Sequence, residues 1–206
     1  MKIYIDYDNT LINLIDPWIL WANNKFNVNF TSNDINRWHF LGEVLGKGAN
    51  DFWNDKKDNH YANKNMLQPN PGAIKFLHSI QKQFGEKNVF IVSSTVAHHK
   101  VEKIKHAQYF FGIVKKQFIS VNENKGKHTF TKGGILIDDC PLYVMEHICY
   151  NHQMGIVFNY NDSFGWCQKD NYILDSSLNS FRHIVDYKNF SIATSYKQII
   201  EEINHA

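Results

Sequence analysis

The sequence predicts an α/β fold: a Rossmann-like parallel sheet with helices on both faces, interrupted once by a small inserted helical cap. Three observations carry this expectation. Short apolar runs recur at Ile3-Tyr4-Ile5, Val89-Phe90-Ile91-Val92, Ile135-Leu136-Ile137 and Gly155-Ile156-Val157-Phe158, and unbroken apolar strands of this kind belong in a sheet covered on both faces. Helix signatures separate them, so strands and helices alternate. The stretch from 13 to 70 is helical in character but broken, and it carries no comparable strand. The expected organisation is therefore a core of residues 1–12 and 71–206 with a helical cap over 13–70.

Lys2-Ile3-Tyr4-Ile5 is a β-branched and aromatic strand that breaks off in the turn-forming cluster Asp6-Tyr7-Asp8-Asn9. Asp16-Pro17 reads as a helix N-cap with proline at the first helical position; Trp18, Trp21 and Ala22 share a face of that helix, which assigns both tryptophans to packing. Thr31-Ser32 marks a second start, followed by glycine-bearing loops near Gly42, Gly46 and Gly48. Asn70-Pro71 repeats the cap-and-proline signature, and Ile74, Phe76, Leu77 and Ile80 carry a helix toward the strand at Val89. A helix from about His98 to Phe110, a strand near Gln117 to Val121 and a polar loop with Lys125 and Lys127 lead to the strand that runs into Asp138-Asp139. Pro141 opens the next helix, Gly155–Phe158 and Phe190–Ala193 supply the last strands, and Thr194 or Ser195 caps a closing helix. The stretch from about 162 to 188 exceeds what this architecture requires; covering the sheet edge, meeting a partner and approaching the site are all open to it.

At 206 residues and 43% hydrophobic content, the chain can bury one full core with an insertion. Its 22 Lys+Arg against 20 Asp+Glu leave a net charge of +2, too small and dispersed to offer a nucleic-acid surface, so no stable nucleic-acid binding is expected. Three cysteines, Cys140, Cys149 and Cys167, lack a pairing pattern and fit a reducing compartment. The first carboxylate arrives at Asp6 and no later segment reaches membrane length, so the expectation is a cytoplasmic protein with no membrane association.

In an open parallel sheet, functional groups gather beyond the carboxyl ends of the strands. Here the first strand ends in Asp6 and Asp8, the second in Ser93-Ser94-Thr95 and another in Asp138-Asp139, with Lys127 in the loop before it. Carboxylates attract Mg²⁺, hydroxyls and a lysine donate to phosphate oxygens, and a spare carboxylate can attack phosphorus, so the set describes phosphoryl transfer. Asp6 and Asp8, two apart, can face one substrate and divide nucleophile from acid. Taken singly, Asp-x-Asp-Asn is as much a solvated turn, and Asp-Asp before proline a helix cap. Their order along one α/β chain favours the chemistry.

These residues resemble the haloacid-dehalogenase-like phosphatase superfamily, whose first motif is Asp-x-Asp-x-Thr or Val, here Asp6-Tyr7-Asp8-Asn9-Thr10. Within it the chain looks most like the 5'(3')-deoxyribonucleotidases: a helical insertion straight after that motif, Leu67-Gln68-Pro69-Asn70-Pro71-Gly72-Ala73 on return to the core, and Leu136-Ile137-Asp138-Asp139 as the last motif. The resemblance implies a haloacid-dehalogenase-like core and hydrolysis of (deoxy)ribonucleoside monophosphates through an aspartyl-phosphate on Asp6, with Asp8 as acid and base. It implies Mg²⁺ held by Asp6, the Asp8 carbonyl and Asp139 with Asp138 in support, phosphate bound by Ser93, Ser94 and Lys127, and a homodimer. Lys125 and Lys132 are alternatives for the phosphate lysine. Asn9 stands where that family usually has glycine, and Leu14 where an aromatic residue often lines the base pocket. Trp38, Phe40, Phe52 and Trp53 in the insertion are candidates for stacking on the base, Trp38 first among them, and His98-His99 follow no ligand spacing, which places them at a surface or helix start. Two other readings stand beside this one: a phosphatase for nucleic-acid ends or another small phosphate ester, and a non-catalytic nucleotide-binding module.

Overall fold

Six parallel strands form one sheet in the computed structural model, which describes residues 1–37, 40–54, 60–122, 125–168 and 176–206. The strands are β1 (Lys2–Ile5), β2 (Val89–Ser94), β3 (Phe118–Val121), β4 (Gly134–Asp138), β5 (Gly155–Phe158) and β6 (Phe190–Ala193), in spatial order β3-β2-β1-β4-β5-β6. The chain fills one side of β1 and then returns to the other, so the direction of growth reverses between β1 and β4; sheets of this class bind ligands in the crevice at the carboxyl ends of such strands. Ile5 pairs with Ile137, and the Asp6 N–H donates to the Ile137 carbonyl at 2.8 Å, so Asp6, just past β1, stands level with Asp138, the last residue of β4.

The α-helices among the described residues are α1 (Ile15–Phe26), α2 (Phe40–Leu45), α3 (Asp51–Asn54), α4 (Ala73–Phe84), α5 (Lys100–Phe111), α6 (Pro141–Asn151) and α7 (Tyr196–His205). Ala73, Phe76, Leu77 and Ile80 recur at helical spacing along α4 and join Ile104, Ala107 and Ile199 in one core with the β-strand residues Ile3, Ile5, Ile91 and Ile137. A second core gathers Val144, Met145 and Ile148 of α6, Val157 of β5, Ile15 and Ile19 of α1, and Leu41 of α2. Both faces are thus buried, as the unbroken apolar strands require. Among the described residues no helix is long and apolar enough to cross a membrane.

Local details depart from expectation at three places. β2 runs through Ser93 and Ser94, past Val92, because β3 keeps pairing with it as far as Val121. Asp16 does not cap α1: the helix begins at Ile15, and the side-chain oxygen of Asn9 accepts from the Leu14 and Ile15 N–H groups at 3.2 and 2.9 Å. Asn70 does not cap α4 either, since Gly72 turns left-handed (φ 92°) just before Ala73, which frees the Asn70 amide to donate to the carbonyls of Asn9 (3.1 Å) and Thr10 (3.4 Å). Both asparagines serve the loop after β1. At the far end Ser195, of the two candidates, accepts from Gln198 N at 3.3 Å and caps α7.

The chain between β1 and α4 leaves and rejoins the core at one point. Ile12 bridges to Pro69, Asn13 N donates to Gln68 O at 3.0 Å, and Asn70 N donates to Leu11 O at 2.9 Å. The two ends of the segment between β1 and α4 therefore lie side by side, next to the end of β1.

The β1–β4 contact that sets the site is tight at Gly134, where an added Cβ would meet the Lys2 carbonyl oxygen at 2.4 Å and the Tyr4 ring at 2.8 Å. Gly134→Ala is expected to cost about 2 kcal/mol or more through overpacking, read as a lower urea midpoint at unchanged slope.

Candidate active site

At the carboxyl edge of β1 and β4, three carboxylates stand almost without solvent: Asp6 is 4%, Asp138 0% and Asp139 1% exposed. One oxygen from each lies within 4.8 Å of the others. Lys127, itself 2% exposed, bridges them, its Nζ donating to Asp6 Oδ1 and Asp138 Oδ2 at 2.6 Å each, with the ammonium 4.6 Å from the centre of the Tyr143 ring. Burial pushes all three acids up. Asp138 rises to about 7 despite Lys127, Asp6 rises with the help of Asp8, and Asp139 rises further under the charges of Asp6 and Asp138. Burial alone would lower the Lys127 ammonium; Asp138 and Asp6 outweigh it and hold that pKa well above the usual lysine range.

Asp139 is fixed by contacts on both sides. The Asn9 amide donates to Asp139 Oδ2 at 3.1 Å, while Trp166 Nε1 and the Cys167 thiol donate to the Asp139 carbonyl at 3.1 and 3.0 Å. The long stretch after β5 thus approaches the site from behind. Asn9 sits at φ 55°, a left-handed conformation that asparagine tolerates better than most side chains, so it meets the backbone demand that glycine would meet and adds a side chain spanning Asp139 and the start of α1.

Asp8, on the loop beyond β1, is engaged at both oxygens. Tyr61 Oη donates to Oδ1 at 2.8 Å, and Lys103 Nζ donates to Oδ2 and to the Ser94 carbonyl, the latter at 2.9 Å. At the end of β2, Ser93 is buried and Ser94 Oγ donates to Tyr143 Oη at 3.3 Å. A cavity of about 480 Å³ opens over these groups, with Asp6, Asp8, Asp139, Ser93, Ser94 and Lys127 at its floor and Leu14, Trp18, Trp53, Tyr61 and His99 among its walls.

The structure therefore brings together Asp6, Asp8, Ser93, Ser94, Lys127, Asp138 and Asp139. Lys125 and Lys132 are exposed, which leaves Lys127 as the lysine at the carboxylates. Trp38 lies outside the described residues. Phe40, expected at a stacking position, packs on Phe30 with ring centres 5.5 Å apart in the second core, away from the cavity. The aromatic walls come from Trp53, one of the expected aromatics of the insertion, and from Tyr61 and Trp18, the last of which also packs on Phe52 and Trp53. His99, expected at a surface or helix start, does precede α5 but is buried.

His98 and His99 both donate through Nε2 to the Trp53 carbonyl, at 2.7 and 2.9 Å, and His99 lies against His60, ring centres 4.6 Å apart. His60 stacks on Phe52 and is 2% exposed, with neither ring nitrogen bonded among the described residues. Lys103 and Tyr61 had no motif to announce them. A lysine on the stripe of α5 shared with Ala107 and Phe111, residues at i+4 and i+8, is the signal available for Lys103.

Three buried carboxylates against one buried ammonium, all hard oxygen donors at one point, form a set that fits a divalent cation such as Mg²⁺. Solved structures similar to the chain over nearly its whole length include the following two. A HAD family hydrolase from Deinococcus radiodurans R1, with bound phosphate and sodium, has a TM-score of 0.64 at 9% identity, over 99% of this chain and 95% of that one. A conserved haloacid dehalogenase-like protein of unknown function from Agrobacterium tumefaciens str. C58 has a TM-score of 0.55 at 10% identity, over 99% and 97%. No protein-family model and no curated protein matches the sequence. These likenesses show that the fold is haloacid dehalogenase-like.

The burial of His60 beside Phe52 and His99 should make the fold acid-sensitive. Burial first, then His99, holds His60 down to about 3, far below its ordinary value of 6.5. A base lowered by folding contributes stability that is complete above 6.5 and is lost as pH falls from 6.5 toward 3. Melting followed by tryptophan fluorescence should show a midpoint that drops between pH 7 and pH 5, at a cost approaching about 1.4 kcal/mol per pH unit for each such histidine. His60→Phe should flatten that slope.

Proposed function

We propose that the protein is a Mg²⁺-dependent phosphatase that hydrolyses nucleoside monophosphates, deoxyribo among them, to nucleoside and phosphate. The observation that carries this reading is Asp6: a buried carboxylate facing a cavity, with Lys127, Asp138 and Asp139 around it and an independent carboxylate, Asp8, two residues on. The fold's likeness to a hydrolase with bound phosphate supports it.

In this reading an Asp6 oxygen attacks phosphorus while the bond from phosphorus to the nucleoside oxygen breaks, and Asp8 gives its proton to that oxygen. Water then attacks phosphorus and passes a proton to Asp8, the bond to Asp6 breaks, and phosphate leaves with Asp6 restored and Asp8 again protonated. Asp6, Asp138, Asp139 and the Asp8 carbonyl would hold Mg²⁺, which supplies positive charge beside the transferring group. Lys127 holds Asp6 in place and offsets negative charge on the phosphoryl oxygens, and Ser93 and Ser94 offer hydroxyls to them. Residues 13–70 act as the cap: Trp18, Trp53 and Tyr61 wall the cavity and present aromatic faces to a nucleobase. The cavity is of small-molecule size, and a net charge of +2 gives little pull on a polynucleotide.

Phosphate release from a panel of deoxyribo- and ribonucleoside monophosphates, with Mg²⁺ or with EDTA, tests this. Asp6→Asn and Asp8→Asn are each expected to lower kcat by at least about a thousandfold, and turnover that survives Asp6→Asn would overturn the reading. Nucleotide binding without turnover in the wild type would indicate a binding module instead. A second expectation concerns the metal: the acids at its site are raised by burial, Asp138 to about 7, and must shed protons to bind it. Mg²⁺ should therefore raise the melting temperature more at pH 8 than at pH 6.

A further inference from the structure

Lys103 is 1% exposed on α5, on a stripe shared with the core residues Ala107 and Phe111. Burying an ammonium costs several kcal/mol unless it is well paired, and an apolar side chain would fill that stripe at no such cost. What Lys103 reaches is the Asp8 carboxylate and the Ser94 carbonyl, the latter at 2.9 Å. The other Asp8 oxygen takes the Tyr61 hydroxyl at 2.8 Å, and the Tyr61 ring centre lies 4.9 Å from the Lys103 ammonium, so the two donors also support each other.

We infer that Lys103 and Tyr61 are positioning residues for proton transfer by Asp8, an inference that rests on the phosphatase reading above. With one donor on each oxygen, the carboxylate cannot turn about its own bond without breaking one of them. The donors come from different parts of the chain. Lys103 belongs to the core and is tied to the end of β2 through Ser94, whereas Tyr61 belongs to the segment inserted between β1 and α4. That segment is seated on the start of α5 by the Trp53 carbonyl, which accepts from both His98 and His99. The six residues from His98 to Lys103 thus hold the insertion and the acid/base together, and Asp8 is in place only when the insertion is seated.

The leaving group gives the test. A nucleoside oxygen needs a proton as it departs, whereas p-nitrophenolate leaves without one, so a misplaced acid harms the first reaction much more than the second. Release of leaving group would be followed through the first turnover, before the aspartyl-phosphate is hydrolysed, in wild type, Tyr61→Phe, Lys103→Met and Lys103→Arg. Tyr61→Phe and Lys103→Met should slow nucleoside release by about a hundredfold and p-nitrophenolate release by less than about tenfold, with Lys103→Arg recovering part of the loss. Losses equal on the two esters, or no loss on either, would overturn the inference while leaving the phosphatase standing. A wild type that releases neither leaving group would overturn both. Should Lys103→Met not fold, Tyr61→Phe, which removes only a hydroxyl, decides the matter alone.

Discussion

Lys127 spans the gap between β1 and β4, and its ammonium is what allows Asp6 and Asp138 to share the dry edge of an apolar sheet. Each ion taken out of water costs several kcal/mol, and a shared partner at 2.6 Å from both acids offsets much of that. The arrangement is only reachable because Ile5 and Ile137 are in register, which brings the two strand ends level. Without the lysine, three acids within 4.8 Å would face one another with no compensating charge among the described groups that touch them. The sheet, the loop carrying Lys127 and the carboxylate cluster therefore stand or fall as one unit.

A second layer of contacts holds the loops around that unit. Asn9 accepts from the first turn of α1 with one end of its amide and donates to Asp139 with the other, while Asn70 secures the carbonyls of Asn9 and Thr10. Tyr196, from α7, donates to the same Thr10 carbonyl at 2.7 Å. From the opposite side Trp166 and Cys167 hold the Asp139 backbone, and Gly165 before them permits a close approach, since a Cβ there would meet the Ile35 carbonyl oxygen at 2.6 Å. Segments distant in sequence thus converge on two short turns, one after each central strand.

The sheet and the residues at its edge were legible because strand ends are local features: an apolar run followed by Asp, Ser or Lys can be read without knowing what packs on it. The same is true of Pro141 at the start of α6. What escaped was anything decided by tertiary contact. Asp16 and Asn70 carry cap-like sequences, but Asn9 takes over the first helix start, and Asn70 serves the neighbouring loop instead. Phe40 and Trp53 look equivalent as aromatic residues of the insertion, yet only the seating of α3 against His98 and His99 turns Trp53 to the cavity while Phe40 meets Phe30. Lys103 lay among Lys100 and Lys105, and only the burial of its helix face separates it from those exposed neighbours.

In the proposed reaction Asp6 is the nucleophile toward phosphorus, and the covalent adduct is its direct witness. The Asp8→Asn protein, in which hydrolysis of the adduct should be slowed, would be mixed with Mg²⁺ and p-nitrophenyl phosphate, whose leaving group departs without a proton, then quenched in acid and digested for peptide mass spectrometry. A phosphoryl group on the peptide that contains Asp6, located at Asp6 and absent when EDTA replaces Mg²⁺, is the predicted result. Phosphate release by the wild type, with no adduct at Asp6 or with the phosphoryl group on another residue, would contradict it.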